Sequence, residues 1–508
     1  VEGDQKLIQH TNELLGVHDP ERMVRIMVTM PTEAGEDYEL VKGLMHAGMD
    51  VMRINSAHDN PSIWRKMVMN VQKAEIELNK TCRILFDLGG PKLRTGPVEP
   101  GPAVVRIKPR RDKRGIVTDP ALIWFGSVAP AEEKPSSLTH IPVEKAFAEA
   151  IQQGDVVSFQ DLPGKERKFR IEKVDPGGGW ATSKQITFLE TGLRLQLERN
   201  GNIILTTRVG QLPIKETFIW LSPGDTLMLT SKDKPGKPAK KGTAGEIREP
   251  ARISCTLPSV FKDVRSGDPI LFNDGKIAGT VVAKTEDTLQ VKINRSKPGG
   301  SKLRADKGIN LPQTSFRLPA LSAQDVTNLD FAAKYVDMVG LSFVRNPSDL
   351  FLLQAELEKR GKKDMGVILK IENQVAFQNL PQLLLAGLRE PPFGVMVARG
   401  DLGVEIGFDR LAEVQEEILW LCEAGHIPVI WATQVLENLA KTGLPSRAEV
   451  TDAAMSGRAE CVMLNKGPHV IETVAFLDKV LKSMRNHYYK KTPMLRKLKV
   501  SEGRFTSE

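Results

Sequence analysis

Two textures alternate along the chain. In the first, short apolar runs are separated by segments whose apolar residues recur three and four apart. Runs at 24–30, 50–54 and 82–88 predict strands, with helices over 38–46 and 63–78 between them. The rhythm resumes with a helix over 322–334, a strand over 336–343, a helix over 349–359 and strands over 366–371 and 393–398. A helix over 411–424, a strand over 428–432, a helix over 447–455, a strand over 461–464 and a helix over 471–485 complete it. Apolar strands joined by helical crossovers imply an α/β protein with a parallel sheet covered on both faces. Eight such strands predict a (β/α)8 TIM barrel. The dinucleotide-binding open sheet has no support, because no G-x-G-x-x-G follows the first strand.

The second texture interrupts the first from 97 to 306. Pro, Gly, Val and Thr dominate it, and short strand-like runs at 156–159, 226–229 and 280–282 are divided by turn residues. It predicts a large β-rich domain inserted after the third strand. Within it, Gly154-Asp155-Val156-Val157-Ser158-Phe159-Gln160-Asp161 is similar to Gly267-Asp268-Pro269-Ile270-Leu271-Phe272-Asn273-Asp274. Ile141-Pro142 precedes the first copy and Leu257-Pro258 the second, and a basic segment ending in Gly follows each (199–201 and 304–308). This is the pattern an internal duplication leaves.

Composition narrows the function classes. With 41% hydrophobic and 26% charged residues the chain is globular, and it has no apolar run of transmembrane length. The first residues lack a signal-peptide pattern, and the four cysteines are scattered without a C-x-x-C pair, which points to a reducing, cytoplasmic compartment. The net charge of +8 is concentrated at 106–114, 232–241 and 490–504. The second cluster is broken by Pro235, Gly236 and Pro238, and no cluster interleaves aromatics. These read as solvated loops and a tail, with no nucleic-acid or membrane partner.

The candidate chemistry lies at the strand ends. Arg53 and Asn55 end the second strand, Asp87 the third, Lys370 and Glu372 the fifth, Arg399 and Asp401 the sixth, and Thr433 the seventh. A barrel gathers all these ends at one mouth. Glu372 and Asp401 are hard oxygen ligands for Mg2+ or Mn2+. Arg53 and Lys370 are cations suited to a phosphoryl group. Two cations with a divalent ion catalyse phosphoryl transfer by positioning and charge neutralisation.

These residues fall in segments that resemble the pyruvate kinases. The segments are Met52-Arg53-Ile54-Asn55 with His58, Asp87 to Gly96 (DLGGPKLRTG), Lys307 to Pro312 (KGINLP) and Ser342-Phe343-Val344-Arg345. They continue with Leu369-Lys370-Ile371-Glu372-Asn373, Val397 to Glu405 (VARGDLGVE) and Ala432 to Glu437 (ATQVLE). The resemblance covers most of the barrel and the later part of the insert. It implies transfer of phosphate from phosphoenolpyruvate to ADP, giving pyruvate and ATP. It further implies that Glu372 and Asp401 hold the divalent ion, Lys370 steadies the phosphoryl group in flight, and Arg53 binds phosphate. The amides of Gly400 and Asp401 would take the substrate carboxylate beside Thr433, with Asn55, His58 and Arg94 facing the nucleotide. The expected domains are 1–96 and 307–490 for the barrel, 97–206 for the extra, repeat-bearing part, 207–306 for the family's lid, and 491–508 for a basic tail.

Departures from the family pattern carry their own expectations. Family members that bind K+ do so through an Asn, a Ser, an Asp and a Thr, where this chain has Asn55, Ala57, Asp87 and Leu88. Two oxygens are missing, and Lys92 replaces a Glu. Lys92 is therefore expected to act with Asn55 and Asp87 as an internal cation, so that K+ is not required. After the eighth strand the family's M-L-S-G-E-T is here Met463-Leu464-Asn465-Lys466-Gly467-Pro468. The chain ends after the last barrel helix, so the family's regulatory C-terminal domain is expected to be absent, and a homo-oligomer, a barrel dimer, is expected by resemblance. The alternatives are an inactive binding or regulatory relative and an enzyme acting on a related phosphoenol 2-oxo acid.

Overall fold

The computed structural model describes residues 2–130, 138–242, 246–314, 316–390, 392–485, 488–489 and 492–493. Apart from Thr492–Pro493, the expected tail at 491–508 lies outside them.

Eight strands close a parallel barrel: β1 (Arg25–Thr29), β2 (Val51–Asn55), β3 (Arg83–Asp87), β4 (Met338–Leu341), β5 (Gly366–Ile371), β6 (Phe393–Ala398), β7 (Val429–Ala432) and β8 (Cys461–Leu464). Every residue of β5 and β6 is buried, which is why β6 reads as an unbroken apolar run and β5 as one broken only by Lys370. Inward-facing Met27, Val51, Leu85, Met338, Ile368 and Met396 pack one another inside the barrel. The outward set, with Val28, Phe86, Leu369 and Val395, packs against the helices.

Several helical regions are not among those the periodicity predicts, and three of them bear on the barrel and its mouth. The helix Glu2–Leu15 carries one apolar stripe, Leu7, Leu14 and Leu15 with Thr11, all nearly inaccessible. Leu14 and Leu15 join the barrel interior where the strands begin. Gly394 makes the room: a Cβ there would stand 2.6 Å from Leu14 Cδ2. The short helices Gln374–Gln378 and Leu380–Gly387 follow β5, the first capped by Asn373, whose side chain accepts from the Ala376 amide at 2.8 Å. The helix Arg399–Ile406 leaves β6 without a loop.

The insert contains two sheets with the same chain path. In the compact unit Val98–Ile219 the spatial order is Leu138–Pro142, Ala121–Gly126, Gly178–Ser183, Glu166–Asp175, Val156–Gln160, Arg194–Arg199, Asn202–Arg208. In the second sheet it is Ala251–Ser254, Thr226–Thr230, Thr288–Arg295, Ile277–Lys284, Pro269–Phe272, Ile309–Asn310. In each, the first pair is parallel and every later pair antiparallel. In each, a short helix, Lys145–Ala150 or Pro258–Lys262, leads into the repeated Gly-Asp segment.

The Gly-Asp pairs do the same work in both sheets. Gly154 and Gly267 sit at φ +93° and +99°, a region open to glycine. The Gly154 amide donates to Ile171 O at 2.9 Å and the Ile171 amide returns to Asp155 O at 2.8 Å. Gly267 and Asp268 exchange the same bonds with Val281, at 2.7 and 3.0 Å. The carboxylates of Asp155 and Asp268 cap the Gln152 and Arg265 amides, at 2.8 and 2.9 Å.

The first unit extends past the expected 206/207 division. Its last strand reaches Arg208, and Val209 and Leu212 are buried in its core.

Candidate active site

The ends of β2, β3 and β5 bring four charged side chains into one buried network. Parallel register sets Asn55 beside Asp87, and Asp87 beside Gly340. Asp87 is 1% exposed. It accepts from Arg53 Nε at 3.0 Å, from a second guanidinium nitrogen of Arg53, and from Lys370 Nζ at 3.2 Å. Gly340 admits this carboxylate, since a Cβ there would lie 2.9 Å from Asp87 Oδ1. Arg53 also donates to Thr29 Oγ1 at 2.8 Å. Lys370 donates to Ser342 Oγ at 2.8 Å and pairs with Glu372 Oε1 at 3.1 Å.

These charges hold one another ionised. Burial alone would raise the Asp87 carboxyl, but Lys370 and Arg53 outweigh it and keep it below the ordinary carboxylate range. Burial would likewise lower Lys370, yet Asp87 and Glu372 raise it above the ordinary ammonium value. Glu372 moves the other way. Its burial raises the carboxyl, Lys370 opposes this, and Asp401 adds to the rise.

Beside this network Glu372 and Asp401 each face an ammonium. Glu372 Oε2 accepts from the Phe343 amide at 2.6 Å. Phe343 lies at φ +55°, an unfavourable conformation for a bulky residue, costing of order 1–3 kcal/mol. Lys92 Nζ lies 3.3 Å from both oxygens of Asp401 and 5.6 Å from the Phe343 ring centroid. The expected trio of Lys92 with Asn55 and Asp87 is therefore corrected. The Asp87 charge is countered by Arg53 and Lys370, Lys92 makes its ion pair with Asp401 instead, and the Asn55 side-chain oxygen accepts from the Ala57 amide at 3.1 Å. Further along, Glu405 accepts from Asn310 Nδ2 at 2.8 Å, and burial pushes its carboxyl up to about 7.

After β6 and β7 the backbone is shaped more than charged. Thr433, Gln434 and Leu436 all take positive φ, at 67°, 59° and 48°. The Thr433 hydroxyl accepts from the Gly400 amide at 2.8 Å, which places Gly400, Asp401 and Thr433 together. Arg399 is a clamp. It binds Ala432 O at 3.0 Å and Thr433 O at 2.6 Å, grips both oxygens of Asp452, and covers the Trp431 ring at 4.8 Å.

A cleft of about 270 Å³ opens beside the network, lined by Arg53, Asn55, His58, Lys441, Asn465 and Lys466. Arg94 does not line it. Its amide binds Thr256 Oγ1 at 3.0 Å, and its guanidinium reaches Asp306 O at 3.2 Å and the Asp306 carboxylate at 3.3 Å. This placement goes with an isolated bridge that pairs Arg94 with Gly308 where the chain enters and leaves the insert. Sequence reasoning assigned no role to Thr29, Ser342, Glu405 or Lys441. Thr29 and Ser342 had a usable signal, since both are polar residues at the ends of apolar strand runs.

The donor set fits a divalent ion that takes most of its shell from substrate and water. Glu372 and Asp401 are hard carboxylates already facing cations. Among the described residues no three His, Cys, Asp or Glu side chains gather as a self-sufficient metal site. No described helix is long and apolar enough to cross a membrane, and all four cysteines are buried and free.

The family model for the barrel domain of pyruvate kinase matches residues 21–123 and 206–469. The unmatched stretch, 124–205, falls inside the compact unit Val98–Ile219. A pyruvate kinase of Clostridium acetobutylicum is 31% identical over 304 residues, 57% of this chain and 62% of its own. One from Thermotoga maritima is 33% identical over 276 residues (53% and 54%), and one from Candida albicans 38% identical over 226 residues (43% of each). The chain spans roughly half of the length of these relatives.

Proposed function

The chain belongs to the pyruvate kinase family, and from that premise we propose that it transfers the phosphoryl group of phosphoenolpyruvate to ADP, with Mg2+ and without K+. The observation that carries this reading is the position of Lys370, buried and held between Asp87, Glu372 and Ser342 with Arg53 on the same carboxylate. Two cations fixed before substrate arrives stabilise charge on a moving phosphoryl group without reorganising. Asp87 is the residue that fixes both.

Arg53 and Lys370 bind the phosphoryl oxygens. The amides of Gly400 and Asp401 take the carboxylate, which requires Gly400 to exchange its present bond to Thr433 Oγ1. The freed Thr433 hydroxyl then faces the enolate. The cleft with Arg53, His58, Lys441 and Lys466 receives the nucleotide phosphates. Glu372 and Asp401 would hold the divalent ion, which would supply further neutralisation of the phosphoryl charge. K+ independence is supported by the two absent oxygens at Ala57 and Leu88 and by the positive charge that Lys92 brings to this end of the barrel.

For the insert we read Val98–Ile219 as a second copy of the sheet that forms the lid. The shared strand order, directions and Gly-Asp bonding support a duplication. The Glu99 carbonyl accepts from Thr217 Oγ1 and the Gly101 amide donates to Lys215 O at 3.1 Å, so the copy enters and leaves through adjacent segments. Excising 98–219 is therefore expected to leave a folded protein whose turnover stays within a few-fold of the parent. Circular dichroism and the assay below check this.

That assay is pyruvate release from phosphoenolpyruvate, ADP and Mg2+ in K+-free buffer. Turnover at a rate that added K+ changes less than twofold is the expected result. An absolute K+ requirement would overturn K+ independence. No turnover from folded protein in either buffer would overturn the activity.

A further inference from the structure

Lys92 is unassigned by the buried network and lies away from Asn55 and Asp87. Its ammonium stands 3.3 Å from Asp401 Oδ1 and 3.3 Å from Oδ2, so it faces both oxygens of the carboxylate at once. Its charge also lowers the neighbouring Glu372 against the effect of burial. It thus occupies the electrostatic position that a cation bound by these two carboxylates would take.

Three features make this contact exchangeable rather than fixed. The Lys92 and Asp401 side chains are 31% and 26% exposed, whereas those of Lys370 and Asp87 are 10% and 2% exposed. Gly308 leaves room on one side of the stem's end, since a Cβ there would stand 3.8 Å from Lys92 Cε. The ring beneath it belongs to Phe343, whose strained backbone is tied to Glu372 and not to Lys92.

We propose that Lys92 is a built-in competitor for the divalent ion. With no metal bound, its ammonium neutralises Asp401 and holds that carboxylate near Glu372. A divalent ion binds only as Lys92 swings off, so Lys92 weakens metal affinity while keeping the empty site from charge repulsion. The inference rests on the reading that Glu372 and Asp401 hold the ion, and it adds that their metal affinity is set by a third side chain. It makes Lys92 a positioning residue for Asp401.

The test is direct Mn2+ binding to the full chain without substrate, read from the electron paramagnetic resonance signal of free Mn2+. Wild type, Lys92→Met, Lys92→Arg and Asp401→Asn are compared, with near-ultraviolet circular dichroism to confirm folding. Lys92→Met is expected to bind Mn2+ roughly fivefold more tightly, the size expected when one partly exposed ammonium no longer has to be displaced. Lys92→Arg is expected to retain the wild-type affinity, because a guanidinium still competes. Unchanged or weaker binding in Lys92→Met, with Asp401→Asn impaired, would overturn the competition and leave the metal reading standing. Binding that is the same in Asp401→Asn as in wild type would overturn the metal reading and the competition with it.

Discussion

Lys370→Met is expected to reduce pyruvate release by at least about 10³-fold, mostly in kcat, from protein that still folds. The ammonium is the one cation that touches Asp87, Glu372 and Ser342 together, and no other described side chain reaches all three. Methionine fills the space and removes the charge. Asp87 keeps Arg53, and Glu372 keeps the Phe343 amide. The protein loses a buried partner at each carboxylate without losing all of them. Glu372 is already raised by burial and can take a proton once Lys370 is gone. The fold should survive with reduced stability, and Arg53 should still bind the phosphate, so KM should move less than kcat. A coupled assay across phosphoenolpyruvate concentrations, with circular dichroism, checks the split. Wild-type turnover in this variant would remove Lys370 from the chemistry.

The barrel was legible because β/α alternation is a statement about period and burial. Strands such as Phe393–Ala398 are apolar at every position and alternate with helical segments. The mouth was legible for the same reason, because a charged residue ending such a strand has few places to be. What period does not specify is where a long side chain points. Lys92 was expected beside Asp87 from the family pattern, yet Arg53 and Lys370 already counter the Asp87 charge, and the ammonium settles on Asp401. Arg399 looked like a member of the site and is a clamp on the β7 turn, because Asp452 comes to it from a helix fifty-three residues on.

Elements held by tertiary contact were also hidden. The helix Glu2–Leu15 has one sparse stripe, and its meaning comes from the cavity inside the barrel that Leu14 and Leu15 fill. The helix Arg399–Ile406 follows a buried strand without turn residues, so its start left no mark. In the insert the opposite held. Two short Gly-Asp segments announced a repeat because each does a local job, a left-handed glycine followed by an amide-capping carboxylate. The strands around them share no such segments, since a half-exposed sheet needs only alternation and not particular residues.

Asp87→Asn should show how much of the mouth depends on a single charge. Asparagine keeps the shape against Gly340 and can still accept from Arg53, but it leaves two buried cations with Glu372 as their nearest counter-charge. Breaking one side of a buried charge network costs about 3–5 kcal/mol, and here two partners are left at once. A loss at or above that range is expected in urea unfolding at pH 7. Turnover should fall with it by at least about 10²-fold, because Arg53 and Lys370 lose the anchor that presents them. The pH dependence separates this from a packing defect. The Asp87 carboxyl is held below its ordinary value in the folded state, so its stabilisation is complete above the unfolded pKa of about 3.9 and disappears as pH falls through the folded value. Wild type should therefore lose stability steeply on acidification below about pH 4. Asp87→Asn, with no proton to take up there, should start lower and fall less. Parallel curves for the two proteins would mean that the carboxylate contributes shape alone. The fixed cations would then owe their position to Ser342, Thr29 and Glu372, and Asp87 would not be the residue on which the site is built.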